Sequence, residues 1–405
     1  MFKRAAFVCS LLFCAPVFGA NEPQWLKDAR ARESKSLKAT ELKSKDGWFT
    51  ARLPGKVVGA VEKIEGSYSV EIDIGADAAV YCEVYPNGVD LANTLRATLD
   101  SAIKIIESEQ GKIEARALEA SDAGAIGSVP HITLTWLYRV ATSKGPMVGS
   151  FKQFVMEKGP HAVYCAHNDL GYTNTFASIT RAFAETLETQ VPAVPNQYVE
   201  IAAVSMSGQK IGIAVMSLEK DAEGDTRARE MTAMLFSTPG GAIQAQDATN
   251  IHWVRPDGSL INAAETTVAN GEISHDLSLK EQDGTWHVEG EAGGKAIKST
   301  LPKDSQPGTW VTQARQLRAL LAQPNPAGRE HSMSIWLADD PEKLTTAKTR
   351  ILEKKGDKHF TARGEVGDMN ANLTLENSSG MPSAVDMKVG PLSMSMERVY
   401  VNGSF

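Results

Sequence analysis

A chain of 405 residues that is 42% hydrophobic and 22% charged has the apolar content for a buried core, and its length exceeds what one core usually serves, so two domains are expected. The net charge of −7 argues against a general nucleic-acid binder. Beyond residue 20 no apolar run approaches the roughly 20 residues of a membrane helix.

The N-terminus reads as a secretory leader over Met1 to Ala20. Lys3 and Arg4 precede the apolar stretch Ala5 through Phe18, and cleavage is expected after Gly19 or Ala20. Cys9 and Cys14 fall inside this leader, behind the bulky Val8 and Phe13, which disfavours a lipid-attachment site. Its removal makes the mature chain more acidic, because it carries two cations and no carboxylate. Export implies an oxidising compartment, and the periplasm is the expected location. Residues 21–46 are polar and mixed in charge. A loosely ordered lead or short surface helix is expected there, with Trp25 and Leu26 as its anchors.

Residues 47–190 are expected to form an α+β domain containing an internal repeat. Gly66-Ser67-Tyr68 leads to Ala79-Val80-Tyr81-Cys82, and Gly149-Ser150-Phe151 leads to Ala162-Val163-Tyr164-Cys165 at one constant offset. Each copy reads as a strand pair followed by a helix on an antiparallel sheet. In the first, Tyr68, Val70, Ile72 and Ile74 alternate with polar residues, Gly75-Ala76-Asp77 turns, and Ala79 to Tyr85 returns. Asp90 is placed to cap a helix with Leu91, Leu95, Leu99, Ile103 and Ile106 on one face. In the second, Ile132, Leu134, Trp136 and Tyr138 alternate, residues 147–156 and 161–167 give two more strands, and a helix follows with Phe176, Ile179, Phe183 and Leu187. Two such units commonly pack about a pseudo-twofold axis. Cys82 and Cys165 occupy equivalent positions, and an even pair in an oxidising compartment is expected as a disulfide rather than a reactive thiol or metal ligand.

Residues 191–197 form a proline-rich linker. From 198 to 405 strand and turn signals recur about every ten residues: Tyr198 to Met206, Ser207-Gly208, Ile211 to Leu218, then turns at Pro256-Asp257-Gly258, Asn270-Gly271 and Asp283-Gly284. One helix interrupts, with Trp310, Ala314, Leu317 and Leu321 on its face. Strands follow at His331 to Leu337, Leu344 to Glu353, Phe360 to Val366, Asn370 to Glu376, and two near the C-terminus. A meander of about a dozen strands with one helix must curl, so a strongly curved antiparallel sheet or half-barrel is expected. This rhythm over residues 198–405 resembles the curved-sheet envelope proteins of the lipoprotein-carrier and lipocalin-like type. The first half resembles small α+β domains similar to the photosystem accessory-protein fold.

Motifs of chemistry are largely missing. The sequence has no Gly-rich phosphate loop, G-x-S-x-G elbow, H-E-x-x-H or C-x-x-C, so no catalytic residue, metal or cofactor is assigned. Cys165, His167 and Asp169 would share a strand face, but a disulfide would consume the thiol and Asn168-Asp169-Leu170-Gly171 reads as a turn. His275-Asp276 point to opposite faces, with His287 nearby in sequence. Arg227, Arg229 and Glu230 read as a solvated edge. Met381, Met387, Met394 and Met396 could offer thioethers to copper(I), but the plainer reading is an adaptable apolar lining. The expectation is therefore an exported, non-catalytic protein that binds an apolar small molecule or lipid, or a lipidated partner, in the C-terminal sheet. Trp253, Trp310, Trp336, Met231 and Met234 are the candidate lining. An envelope assembly protein without a small ligand, docking another envelope protein, is the alternative. A hydrolase would need histidines such as His275, His287 or His359 to meet a carboxylate in one pocket.

Overall fold

A computed structural model describes residues 23–143, 145–191, 195–221, 223–237 and 242–404. The expected leader, and Pro192 to Val194 of the linker, lie outside these residues. No helix among the described residues is long and apolar enough to cross a membrane. The described residues before Pro195, joined by those between Phe236 and Ile243, form one compact unit, and the remainder from Pro195 onward forms a second.

The first unit opens with α1 (Gln24–Arg30), followed by β1 (Ala39–Lys43), β2 (Phe49–Pro54), β3 (Lys56–Val58) and β4 (Lys63–Ile64). The hairpin β5 (Ser67–Gly75) and β6 (Ala78–Tyr85) leads into α2 (Leu91–Glu109). Then come β7 (Ile113–Ile126), β8 (Val129–Thr142), β9 (Gly145–Lys158), β10 (His161–His167), α3 (Thr173–Thr186) and β11 (Glu188–Thr189). The alternation in β5 holds: Tyr68, Val70, Ile72 and Ile74 are all buried. Ala76 and Asp77 take positive φ in the turn, as a primed two-residue hairpin loop requires. Asp90 precedes α2 as expected, but its side chain makes no capping bond; burial instead raises its carboxyl.

The main sheet of this unit runs β3-β5-β6-β10-β9-β8-β7, with β4 on β5, and a small sheet runs β1-β2-β11. Cys82 and Cys165 lie directly opposite each other on the antiparallel neighbours β6 and β10, 4.0 Å apart at Cα, and form the disulfide. The strand order β5-β6-β10-β9 is symmetric about that bridge. The helices are not. Successive strand residues point to opposite faces. Phe154 of β9 shares a core with Cys82, Cys165 and with Phe176, Ile179 and Phe183 of α3. Its neighbour Gln153 instead donates to Leu95 O (2.9 Å) and Thr98 Oγ1 (2.8 Å) of α2. The helices thus cover opposite faces, whereas a twofold normal to the sheet would keep both on one. The two helices therefore do not follow the expected pseudo-twofold axis.

The second unit is one 14-stranded antiparallel sheet. Its strands are β12 (Tyr198–Met206), β13 (Gln209–Lys220), β14 (Thr226–Ser237), β15 (Ile243–Val254), β16 (Leu260–Ala269), β17 (Glu272–Gln282), β18 (Thr285–Ala292) and β19 (Lys295–Thr300), then α4 (Trp310–Leu321). After the helix come β20 (Glu330–Trp336), β21 (Leu344–Lys355), β22 (His359–Val366), β23 (Met369–Glu376), β24 (Pro382–Val389) and β25 (Leu392–Gly403). Two meanders, β12 to β19 and β20 to β25, join where β12 pairs with β25, so the edges are β19 and β20.

The helix measures the curvature. Thr309 caps it by accepting the Thr312 N–H (3.2 Å). Val311 packs with Tyr198, Leu218 and Ala228 of β12–β14, while Leu317 and Leu321 pack with Ile351, Phe360, Ala362 and Leu375 of β21–β23. From β14 to β21 is seven strand spacings, about 34 Å if flat. A 12-residue helix is about 18 Å long, so the sheet must wrap around it. Trp336 and Ala338, at the end of edge strand β20, pack with Leu260, Ala263, Leu277, Leu279 and Val288 near the other edge. The sheet is curved and open, and α4 lies on its concave side.

Candidate ligand-binding face

On the α4 side an apolar row runs in register across eight strands. Ile351, Ala362, Leu373 and Val385 are successive partners on β21–β24. Met396 on β25, Val204 on β12, Gly212 on β13 and Met234 on β14 continue it. Ile351 and Ala362 lie under α4, and Val204 is buried. Leu373, Val385, Met396 and Met234 are only half-buried. A second row, Ala371–Met387–Met394–Met206, is half-buried throughout. Met387, Met394 and Met396 thus share this face, while Met381 is fully buried. The thioethers spread along the sheet rather than around one point, which suits an adaptable apolar surface.

The five candidate lining residues do not converge. Met234 lies on the apolar row, and Met231 points to the opposite face, because their separation along β14 is odd. Trp336 is built into the Leu260–Leu279 core with its indole N–H donating to Pro341 O (3.2 Å). Trp310 starts α4 and packs against the Tyr198–Leu218 cluster. Trp253 is half-buried on the face opposite to His252, whose strand partner Ala263 belongs to the inner core. Trp286 is likewise a core residue.

Polar groups missed in the sequence also face inward. Arg398 on β25 bonds Glu200 of β12 (2.9 Å) and Glu376 at the end of β23 (2.9 Å). Tyr198 donates to the same Glu200, and Ser379 to Glu376 (3.0 Å). Burial alone would raise Glu376, but the bonds from Arg398 and Ser379 outweigh it and hold the carboxyl low. The guanidinium lies between the two carboxylates as a compensated buried network. Glu230 and Glu265 are different. Neither forms an ion pair with a Lys or Arg among the described residues. Burial pushes Glu265 up to about 7, opposed by an Ala338 N–H and reinforced by Asp339 and Glu230. Burial raises Glu230 as well. Nor is β14 a solvated edge, as the sequence suggested: it sits mid-sheet, and Arg227 pairs with Glu219 at 2.9 Å.

The first unit gathers a second set of polar groups. Cys165 is in the disulfide, and the buried His167 Nδ1 bonds Ala79 O (2.8 Å). Asp169 contributes its backbone oxygen, which accepts from Ser150 Oγ (2.7 Å) and from Lys152 Nζ (2.7 Å). Lys152 is 2% exposed, and burial pulls its ammonium down to about 8. The lead segment closes over this region. Leu26 is buried and Trp25 exposed, so only one of the two expected anchors serves. Glu33 accepts from Asn174 N (2.8 Å), Thr175 N (2.9 Å) and Thr175 Oγ1 (2.7 Å), satisfying the N-terminus of α3. Tyr172 N donates to Arg32 O (2.6 Å), and a Cβ at Gly171 would strike Ala29 O and Arg32 O. These partners make a strap across the N-terminus of α3. Between α2 and β7–β9 lies an apolar cavity of about 10 Å³, the space of one water.

His275 meets Asp339 at 3.6 Å on an exposed loop, and Asp276 is bonded by Thr266. Asp221, Glu223 and Asp225 cluster on the exposed β13–β14 turn, where Asp221 Oδ1 accepts the amides of Glu223 (3.0 Å) and Asp225 (2.9 Å). Turn formation accounts for that arrangement.

A scan against models of protein families gives no match, and a search of curated proteins gives none either. Among solved structures, a beta-barrel-like protein of the domain of unknown function DUF1849 from Brucella abortus is 13% identical, with a TM-score of 0.40. That likeness covers 51% of this chain and 96% of the other. A DUF1089 family protein from Pseudomonas aeruginosa is 14% identical over 43% of this chain and 85% of its own, with a TM-score of 0.24. Neither is described as a lipoprotein carrier, a lipocalin or a photosystem accessory domain. At these scores neither defines the fold or activity of this chain.

Proposed function

We propose that this protein is an exported, non-catalytic binding module that takes an apolar ligand, such as a lipid acyl chain, on the concave side of its C-terminal half-barrel. One observation carries the reading. The two apolar rows on the α4 side leave Leu373, Val385, Met396, Met387, Met394, Met206 and Met234 half-buried on a sheet that curves without closing. Half-buried thioethers on a concave surface suit chains of variable shape. The disulfide fits an oxidising compartment such as the periplasm. In the first unit we read β5–β6 and β9–β10 as copies of one strand pair, supported by the matching sequence around Cys82 and Cys165 and by their opposed register. The lipoprotein-carrier resemblance belongs to this same reading.

The second reading is an envelope assembly protein without a small ligand. What favours it is α4, whose Val311, Leu317 and Leu321 already occupy part of the concave side. Solvent extraction of natively purified protein, analysed by mass spectrometry, separates the two, together with calorimetric titration of dodecyl maltoside below its micelle concentration. A carrier retains lipid and binds the detergent saturably, and Met396→Asp weakens both. Absence of extracted lipid together with absence of saturable binding would defeat the carrier reading.

A further inference from the structure

We infer that the apolar ligand of the half-barrel carries a basic head group with N–H donors, held by the carboxylates of Glu230 and Glu265. The inference rests on the carrier reading and specifies its ligand class.

Ala263 of β16 packs in the inner core with Leu277, Leu279 and Trp336. Glu265, two residues along, therefore points to the same concave side. On β15, Asn250 is the direct partner of Glu265 and His252 that of Ala263, so both share that side. Ala228 of β14 packs beneath Val311 of α4, and Glu230, two residues on, faces the same way. The two carboxylates thus project from the strands flanking β15, with Asn250 and His252 between them.

The chemistry of the four groups is one-sided. Glu230 and Glu265 have no cationic partner among the described residues. Asn250 Oδ1 and His252 Nδ1 are buried and make no hydrogen bond. His252 is 8% exposed, and its desolvation holds the imidazole neutral, so Nδ1 is free to accept in the Nε2–H tautomer. Buried polar atoms are ordinarily satisfied, and two orphaned acceptors between two carboxyl groups without a cationic partner among the described residues call for a ligand that brings donors and positive charge. A bare metal ion fits less well. Among the described residues, these ligand atoms are not within 4.8 Å of one another as a set of three, unlike those of the exposed Asp221 turn. An ammonium or guanidinium head can bridge a wider gap. The apolar rows are within reach: Met234 lies four residues beyond Glu230 on the same strand and face, about 13 Å away. Trp310 packs with Ala228 and adds apolar surface beside the head-group site.

The test uses the full mature protein, freed of extracted lipid, titrated by calorimetry at pH 7.5 with four dodecyl probes below their micelle concentrations. These are dodecylammonium, dodecyltrimethylammonium, dodecyl sulfate and dodecyl maltoside. Dodecylammonium should bind at least about tenfold tighter than the maltoside, and tighter than the trimethyl analogue, which has no N–H to donate. In Glu230→Gln/Glu265→Gln that preference should disappear while maltoside affinity stays unchanged, which also shows the variant is folded. Equal affinity for all heads in the native protein overturns this inference and leaves the carrier reading standing. Binding of none of the four overturns the carrier reading and this inference with it. A variant-sensitive Zn²⁺ titration without a dodecylammonium preference would make the site a metal site and overturn the inference.

Discussion

Replacing Glu265 by glutamine should stabilise the ligand-free protein, and by an amount that depends on pH. The native carboxyl is raised from 4.5 to about 7, chiefly by burial, so the folded state favours its protonated form. Below pH 4.5 the group is protonated in both folded and unfolded chains and costs nothing. As pH rises toward 7 the unfolded chain ionises first, and native stability falls; above 7 the loss is complete. A rise of this size corresponds to ~3 kcal/mol at about 1.36 kcal/mol per unit. Glutamine has nearly the same shape and never ionises, so it escapes the penalty. Urea unfolding of native and Glu265→Gln protein at pH 4, 5.5 and 8, after lipid removal, measures the difference. The two curves should nearly coincide at pH 4 and differ by ~3 kcal/mol at pH 8. An equal gap at every pH would mean packing rather than charge, and a less stable variant at pH 8 would mean that Glu265 already has a buried cationic partner. Either outcome refutes the reasoning.

Other consequences are as direct. Arg398→Met strands the buried Glu200 and should cost about 3–5 kcal/mol in urea unfolding, while Arg398→Met combined with Glu200→Leu should recover much of it. The Cys82–Cys165 bridge spans a sequence separation of 83 residues, so its removal in Cys82→Ala/Cys165→Ala should lower stability by about 4–5 kcal/mol, and two free thiols in non-reduced protein would contradict the pairing. Glu33→Gln should loosen the strap and cost about 1 kcal/mol at pH 7. Burial opposes the Glu33 charge, but bonds from Thr175 and Asn174 hold the carboxyl below 4.5, so this contribution is present above 4.5 and fades as pH falls through the lowered value. Hydrogen exchange at residues 24–34 reads that loosening.

Local signals made much of the second unit legible. Trp310, Ala314, Leu317 and Leu321 marked α4, because their spacing follows the helical apolar period. Tyr198 to Met206 is likewise the observed β12, ended by Ser207-Gly208 with both φ positive. The long strand β7 was missed because its charged, half-exposed residues show no clean alternation. The side on which each helix packs was also hidden. It depends on Gln153 reaching α2 across the sheet, and no periodicity encodes that. The strap rests on Glu33 bonds that span about 140 residues of chain, beyond any local pattern. The position of Glu230 was hidden for a related reason. Glu230 beside Arg227 and Arg229 has the composition of a solvated edge, and only the sheet order places it mid-sheet. Trp residues drew attention as a lining, yet their size suits the core, as Trp336 shows.

The seam between β12 and β25 bears on how the protein is made. The first and last strands of the second unit are neighbours, with Tyr198 opposite Gly403. A ribosome cannot deliver a complete sheet until its final residues emerge. Until then β12 and β24 each expose an unpaired edge, a template for pairing with another chain. A premature stop at Leu392 would therefore leave two meanders with no hydrogen-bonded seam, joined only through α4 and the Trp336 core. Such closure late in synthesis, across about 200 residues, favours slow folding, and a cell would need to shield both halves until the last strand arrives.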